Sequence, residues 1–277
     1  MDGCFTPEPR QETLDRILTA LEADERIIGV LVVGSGAVGF EDDLSDIDIC
    51  IVASDEDAET VFRDWRTRFD ELLPVVHCSE VIYGPGSYLY ALLLDRFLEL
   101  DAGFVAISKL FAERERWKVA FDRSGRIEEI MQRTWANREP PDLMREHRRR
   151  ADGIWHHIMH CGQALLRGRQ WRAIHYLEAV RTRTIELACI RLGLEAGHFR
   201  QVHGLAAEFL GSLQATLPAS TESAELLRAC STSVDRFFEE AREWDMMLGT
   251  DIASTLEPKM REYTALVRDS LSRKGAL

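Results

Sequence analysis

Two aspartates and the residues just before them have the types and spacing that suit metal chemistry. Asp46 and Asp48 flank Ile47 in the run DIDICIVAS, whose β-branched residues are typical of a strand. Residues two apart on a strand point to the same face, roughly 7 Å apart by Cα, so both carboxylates could reach one or two hard cations. Mg²⁺ prefers such oxygen ligands, and a triphosphate can complete its coordination shell.

Gly34 and Ser35 end the preceding apolar run, IIGVLVVGS, and are suited to holding a phosphate. A glycine lets backbone amides approach phosphate oxygens closely, and the hydroxyl of Ser35 adds a donor. A short helix could begin here. The sequence therefore places a phosphate-binding turn about ten residues before the carboxylates.

The surrounding pattern predicts an α+β fold with a mixed sheet in the first half of the chain. Apolar residues at helical spacing predict a first helix over about 7–23, and the charged stretch 55–73 has the length of a second. The order of helices and strands favours helices packed against a mixed sheet. The predicted strands cover residues 27–35, 46–54, 74–83, 88–94, 97–107 and 117–125.

The second half of the chain has helical periodicity and little strand signal. Proline at 140 and 141 ends one helix and suits the first turn of another, so we expect a domain boundary there. The predicted domains are 1–139, with the mixed sheet, and 140–277, a helical bundle. The predicted helices of the bundle cover 142–167, 170–192, 205–217, 221–248 and 256–271.

Charge and composition exclude several classes of protein. The net charge of −13 argues against a general nucleic-acid binder, which needs a basic surface. Residues 1–140 carry a net charge of −14 and residues 141–277 a net charge of +1, so the acidic half suits cations and the other half suits anions. No apolar run is long enough for a membrane span and no signal peptide is evident, so a cytoplasmic protein is expected. The six scattered cysteines are expected to be reduced.

The combination of an apolar strand, Gly34-Ser35, and Asp46-x-Asp48 opening a second apolar strand resembles the nucleotidyltransferase superfamily that includes DNA polymerase beta. Within it, the chain is most similar to the aminoglycoside and lincosamide nucleotidyltransferases. The resemblance implies a third carboxylate on a neighbouring strand. Asp101, after Leu100, fits the family pattern, and Glu99 on the same face is the alternative. The implied role of Asp101 is either to complete the metal cluster or to accept the proton of the attacking hydroxyl.

The segment 165–193 resembles the helical region that follows the catalytic domain in lincosamide-type relatives. Arg181 shares a helical stripe with Leu177 and Ile185, so its guanidinium should point into the bundle, where it needs an anion. Two partners are open for Arg181: Glu178, one turn earlier, or the phosphate of a bound nucleotide.

The resemblance implies metal-dependent transfer of a nucleoside monophosphate to a hydroxyl, with release of pyrophosphate. It implies two Mg²⁺ ions, ATP or another nucleoside triphosphate, and a small-molecule acceptor of the aminoglycoside or lincosamide class. It also implies that 1–139 is the catalytic domain, that 140–277 is the substrate-binding domain, and that the protein is a homodimer. The net charge and the lack of long apolar runs argue against nucleic acid and membrane as partners. The antibiotic acceptor, and with it a role in antibiotic resistance, rests on analogy alone.

One position departs from the family pattern. Many relatives have Arg or Lys where this chain has Val38, and Glu41, Asp42 and Asp43 add negative charge nearby. This departure leaves open a noncatalytic nucleotide-binding or toxin-antitoxin module. A separate alternative is an enzyme that transfers the nucleotide to a partner protein.

Overall fold

The computed structural model describes residues 7–40 and 44–275. The chain divides into two compact units, Met1–Glu139 and Pro140–Leu277. The first unit has a mixed sheet with helices and the second is helical, so the predicted α+β class is confirmed. None of the helices among the described residues is both long and apolar enough to cross a bilayer.

The sheet of the first unit has six strands in the described part of the chain, in the order β3-β4-β5-β2-β1-β6. β2 and β5 are parallel, and the other neighbouring strands are antiparallel. β2 and β5 therefore begin at the same edge of the sheet, which is also the edge where β1 ends. The strands are β1 (Ile27–Val33), β2 (Ile47–Ala53), β3 (Val75–Gly84), β4 (Ser87–Leu94), β5 (Leu98–Ala106) and β6 (Trp117–Asp122).

Helices cover both faces of this sheet. Successive strand residues point to opposite faces, and in β2 Ile51 packs in one apolar cluster while Val52 packs in another. The first cluster includes residues of α1 (Pro7–Glu22) and α2 (Ala58–Leu72), and the second includes residues of α3 (Ile127–Ala136). In the first cluster the ring of Phe62 stacks on Tyr90, with centroids 4.2 Å apart.

The second unit is built from helices α4 to α9. Their bounds are α4 (Leu143–Ala151), α5 (Ile154–Leu166), α6 (Gln170–Arg191), α7 (Ala207–Gln214), α8 (Ser223–Leu248) and α9 (Ile252–Arg273). The prediction of one helix over 142–167 is wrong, because the chain breaks between α4 and α5. Gly153 lies at the break with φ −91° and ψ 5°, and glycine is a weak helix former.

Asp24 joins three parts of the first unit just after α1. Its side chain is 5% exposed and forms ion pairs with Arg26 at 2.8 Å and Arg68 at 3.2 Å. Nε1 of Trp65 in α2 donates a hydrogen bond to Asp24 Oδ2 at 3.1 Å. The hydrogen bond from Arg26 is the main reason that the pKa of Asp24 falls from 3.8 to about 2. This carboxylate ties the end of α1 to α2 and to the start of β1.

We predict that Asp24→Asn lowers the free energy of unfolding at pH 7 by about 1–3 kcal/mol, because it removes charge-assisted hydrogen bonds. The lowered pKa of Asp24 means that its stabilisation is present above pH 3.8 and is lost as the pH falls towards about 2. The difference between variant and wild type in urea denaturation should therefore narrow below pH 4. Asp70→Asn is the control, since Asp70 is 50% exposed in its ion pair with Arg66. That change should cost less than about 0.5 kcal/mol, and equal losses in the two variants would contradict the prediction.

Candidate active site

The turn after β1 brings the backbone against a carboxylate. Gly34–Val38 forms a short 3₁₀ helix, and Gly34 has a φ of +63°. A Cβ atom at Gly34 would lie 2.5 Å from Oδ2 of Asp48, closer than real Cβ contacts allow. The left-handed backbone conformation favours glycine here, and a side chain at this position would displace the carboxylate of Asp48.

The two predicted metal-binding aspartates share one face at the start of β2. Asp48 lies in the strand, and Asp46 lies immediately before its first residue, Ile47. Asp46 and Asp48 are half-buried, whereas Ile47 and Ile49 between and after them are buried in the apolar core. The alternation of Asp and Ile therefore separates the carboxylates from the core.

The parallel pairing of β2 with β5 places Asp101 beside Asp48. The two residues are direct partners in the register, which puts their Cα atoms about 4.8 Å apart. Glu99 also lies in β5 but is exposed and pairs with Leu93 of β4. Of the two acids that the sequence left open as a third carboxylate, Asp101 is thus the one next to Asp48.

Asp101 carries an unfavourable negative charge in this position. Burial, together with the charges of Glu99 and Asp46, raises its pKa above 3.8. Among the described residues, no donor bonds Oδ1 of Asp101, which is buried, and the buried Oγ of Ser35 likewise has no partner. Such buried polar atoms normally have partners, so these two fit a bound ligand.

These residues fit a metal ion and a phosphate. Asp46, Asp48 and Asp101 offer carboxylate oxygens, which Mg²⁺ prefers, and Ser35 with the adjoining turn offers donors to phosphate. Within residues 7–40 and 44–275, no three Asp, Glu, His or Cys side chains already form a metal-binding group.

Arg10 of α1 is a residue near this site that the sequence reasoning missed. It is 4% exposed, and its Nε donates a hydrogen bond at 2.5 Å to the backbone oxygen of Ser45, the residue before Asp46. A signal was present, because Arg10 continues the buried helical stripe of Leu14, Ile17 and Leu21. Arg10 thus connects α1 to the segment that leads into β2.

Cys50 is the next residue after Asp48 on the same face of β2. Burial raises the pKa of its thiol to about 12. The thiol is therefore protonated at neutral pH and adds no charge beside the carboxylates.

Two other predicted positions have different surroundings. Val38, where relatives have a cation, is 62% exposed at the end of the 3₁₀ helix. Residues 41–43, the acids predicted to add negative charge, lie outside the described residues.

Arg181 lies in α6 and is buried, as its helical stripe predicted. Its guanidinium donates to Oε1 of Glu178 at 2.5 Å, to Oγ1 of Thr216 at 2.9 Å and to the backbone oxygen of Thr216 at 3.2 Å. The structure therefore pairs Arg181 with Glu178, one of the two partners left open, and nucleotide binding by Arg181 stays a prediction.

Two solved structures are similar to this chain. One is an aminoglycoside 6-adenyltransferase from Bacillus subtilis, at 15% sequence identity and a TM-score of 0.42, with 93% of this chain and 98% of that chain covered. The other is a STING-associated CdnE c-di-GMP synthase from Capnocytophaga granulosa, at 12% identity and a TM-score of 0.25, with 84% and 81% covered. No protein-family model and no curated protein matches the sequence.

We predict that Asp101→Asn stabilises the metal-free protein at pH 7, because it removes a buried negative charge beside two other carboxylates. A raised pKa means that the contribution of Asp101 to stability is fully present below pH 3.8 and is lost as the pH rises through its folded pKa. The increase in the free energy of unfolding of Asp101→Asn over wild type should therefore appear at neutral pH and vanish below about pH 4.

Urea denaturation in EDTA would measure this gain. Glu99→Gln is the control on the same strand, and its effect should be smaller because Glu99 is exposed. A loss of stability in Asp101→Asn at pH 7 would show that the carboxylate has a stabilising partner.

Proposed function

We propose that the first unit binds a nucleoside triphosphate through Mg²⁺ ions held by Asp46, Asp48 and Asp101, and that the protein transfers a nucleoside monophosphate to a hydroxyl group. The observation that carries the proposal is the register of β2 and β5, which places Asp48 beside Asp101 at the edge where β1 ends in Gly34. Three acids and a glycine turn at one sheet edge combine metal ligands with phosphate donors.

Each residue has a role in this proposal. The three aspartates hold the metal ions, and Ser35 with the backbone of the Gly34 turn positions the β- and γ-phosphates. Bound Mg²⁺ would lower the pKa of the attacking hydroxyl and stabilise the charge on the leaving pyrophosphate. Arg10 acts indirectly, by holding the segment that precedes Asp46.

ATP is the proposed nucleotide, and a small molecule with a free hydroxyl is the proposed acceptor. The sequence resemblance is the support for an aminoglycoside or lincosamide acceptor and for a homodimer. Pyrophosphate release measured across a panel of such antibiotics would test the acceptor class. Mass spectrometry of a cell lysate incubated with labelled ATP would distinguish transfer to a small molecule from modification of a partner protein.

We predict that Asp48→Asn weakens Mg²⁺-dependent binding of ATP by more than about tenfold while the fold is retained, because an amide is a poorer ligand than a carboxylate. Isothermal titration calorimetry with and without EDTA would measure the affinity, and circular dichroism would check the fold. Asp55→Asn is the matched control, since Asp55 is exposed beyond the other end of β2. Unchanged Mg²⁺-dependent affinity in Asp48→Asn would overturn the proposed site.

We also predict that Gly34→Ala weakens Mg-ATP binding more than Gly39→Ala does. Both changes place a side chain at a positive φ, +63° and +100°, which costs about 1–2 kcal/mol. The Cβ at position 34 would also collide with Asp48, whereas nothing lies within 4 Å of a Cβ at position 39. Calorimetry on the two folded variants would compare their affinities for Mg-ATP. Equal losses of affinity would show that the position of the Asp48 carboxylate does not depend on the turn at Gly34.

A further inference from the structure

A helical hairpin in the second unit lacks acidic residues altogether. Residues 154–177, here called the acid-free hairpin, contain three arginines, four of the eight histidines of the chain and no Asp or Glu. They cover α5, the turn after it and the first two turns of α6. The protein has a net charge of −13, so a segment with arginines and no acidic residues departs from the rest of the chain. A need for solubility alone does not explain this local positive charge.

Aromatic rings cross the acid-free hairpin from α5 to α6. The rings of His156 and His160 lie 4.1 Å apart by centroid, and His160 stacks on Tyr176 at 5.1 Å and 22°. On α6, Nη2 of Arg172 donates to Oη of Tyr176 at 3.4 Å, and the guanidinium lies 5.7 Å from the ring. The result is a ladder of three rings with a cation beside its last member.

Two tryptophans of the acid-free hairpin are exposed. Trp171 precedes Arg172 and is 79% exposed, and Trp155 is 43% exposed with its ring edge-on to His156 at 5.6 Å. By contrast, Trp244 in the same unit is fully buried. Exposed tryptophans gain little from core packing, and they offer flat surfaces on which a planar ring can stack.

The positive charge of this surface has no counter-charge in the acid-free hairpin. This positive charge comes from the arginines, because burial and then the neighbouring Arg183 lower the pKa of His157 to about 4, and burial, His156 and Arg172 lower the pKa of His160. The next acids along α6 already have partners: Glu178 pairs with Arg181, and Glu186 pairs with Arg150. In the part of the chain that the structure describes, the buried Nδ1 of His157 has no hydrogen-bond partner.

We propose that the acid-free hairpin binds a free nucleotide, a phosphate ester that carries a planar ring, independently of Mg²⁺. The planar ring stacks on Trp155, whose ring lies against His156, and on the ring ladder, and Arg172 contacts the phosphate. A small ligand is favoured over a long nucleic acid, because a net charge of −13 repels a polyanion. This site differs from the proposed metal-dependent site, since its residues are cationic and aromatic.

The first experiment measures binding of AMP in EDTA by calorimetry and by quenching of tryptophan fluorescence. Inorganic phosphate and adenosine are the matched probes, because each carries half of the proposed ligand. We expect AMP to bind more tightly than either probe and more weakly as salt increases. No binding of AMP in EDTA, or equal affinity for AMP and phosphate, would overturn the proposal.

The second experiment locates the site with variants of the full chain. Arg172→Gln, which removes a charge-assisted contact, and His160→Gln, which removes a ring of the ladder, should each weaken AMP binding in EDTA by about tenfold. Arg145→Gln is the control, since Arg145 is an exposed arginine of α4 outside the acid-free hairpin. A loss in the control equal to that in Arg172→Gln would indicate general charge attraction and would contradict a built site.

Two further measurements distinguish AMP binding at the acid-free hairpin from binding at the metal-dependent site and from binding of nucleic acid. Asp48→Asn should bind AMP in EDTA as the wild type does, whatever the outcome of the test of Mg-ATP binding. Loss of AMP binding in Asp48→Asn, with retention in Arg172→Gln, would place the ligand at the metal-dependent site and overturn the inference. Tighter binding of a single-stranded oligonucleotide than of AMP, lost in Arg172→Gln, would identify nucleic acid as the ligand and also overturn it.

Discussion

The parallel pairing of β2 and β5 is the constraint on which the first unit depends. It sets Asp48 beside Asp101, and burial together with the negative charges of Glu99 and Asp46 raises the pKa of Asp101. Like charges at this separation oppose folding. The apolar layers on both faces of the sheet offset that cost, with Ile51 on one side and Val52 on the other. Repulsion among the carboxylates at one edge of the sheet thus lowers the stability of the first unit, and a bound cation would relieve this repulsion.

Local patterns in the sequence predicted the strands and faces of this unit but not their register. The alternation of Asp46, Ile47 and Asp48 showed which side chains leave the core. It did not show which acid of β5 lies opposite Asp48, because Glu99 and Asp101 share a face. That choice depends on pairing between strands far apart in the chain, which a local pattern does not contain. The burial of Arg10 could have been predicted from its helical stripe, but an arginine in the first turns of a helix is usually solvated.

In the second unit, helical periodicity predicted where helices lie better than where they break. Gly153 interrupts a stretch that reads as one helix, since a single glycine is often tolerated within a helix. The inward direction of the Arg181 side chain was predicted from the apolar residues that share its stripe on α6. Its second partner, Thr216, is 35 residues away and had no local signal. Long-range contacts of this kind are set by packing rather than by pattern.

The burial of Cys50 has a consequence for chemical labelling of this protein. Its thiol is the sulfur nearest in sequence to the paired aspartates, yet its pKa of about 12 leaves almost no thiolate at neutral pH. Alkylating reagents and electrophilic inhibitors react with the thiolate, so they should not capture Cys50 in the folded protein. Cys78 is half-buried on the outer strand β3, and burial raises the pKa of its thiol as well. Covalent probes aimed at the carboxylate edge would therefore need a group other than a thiol to react with.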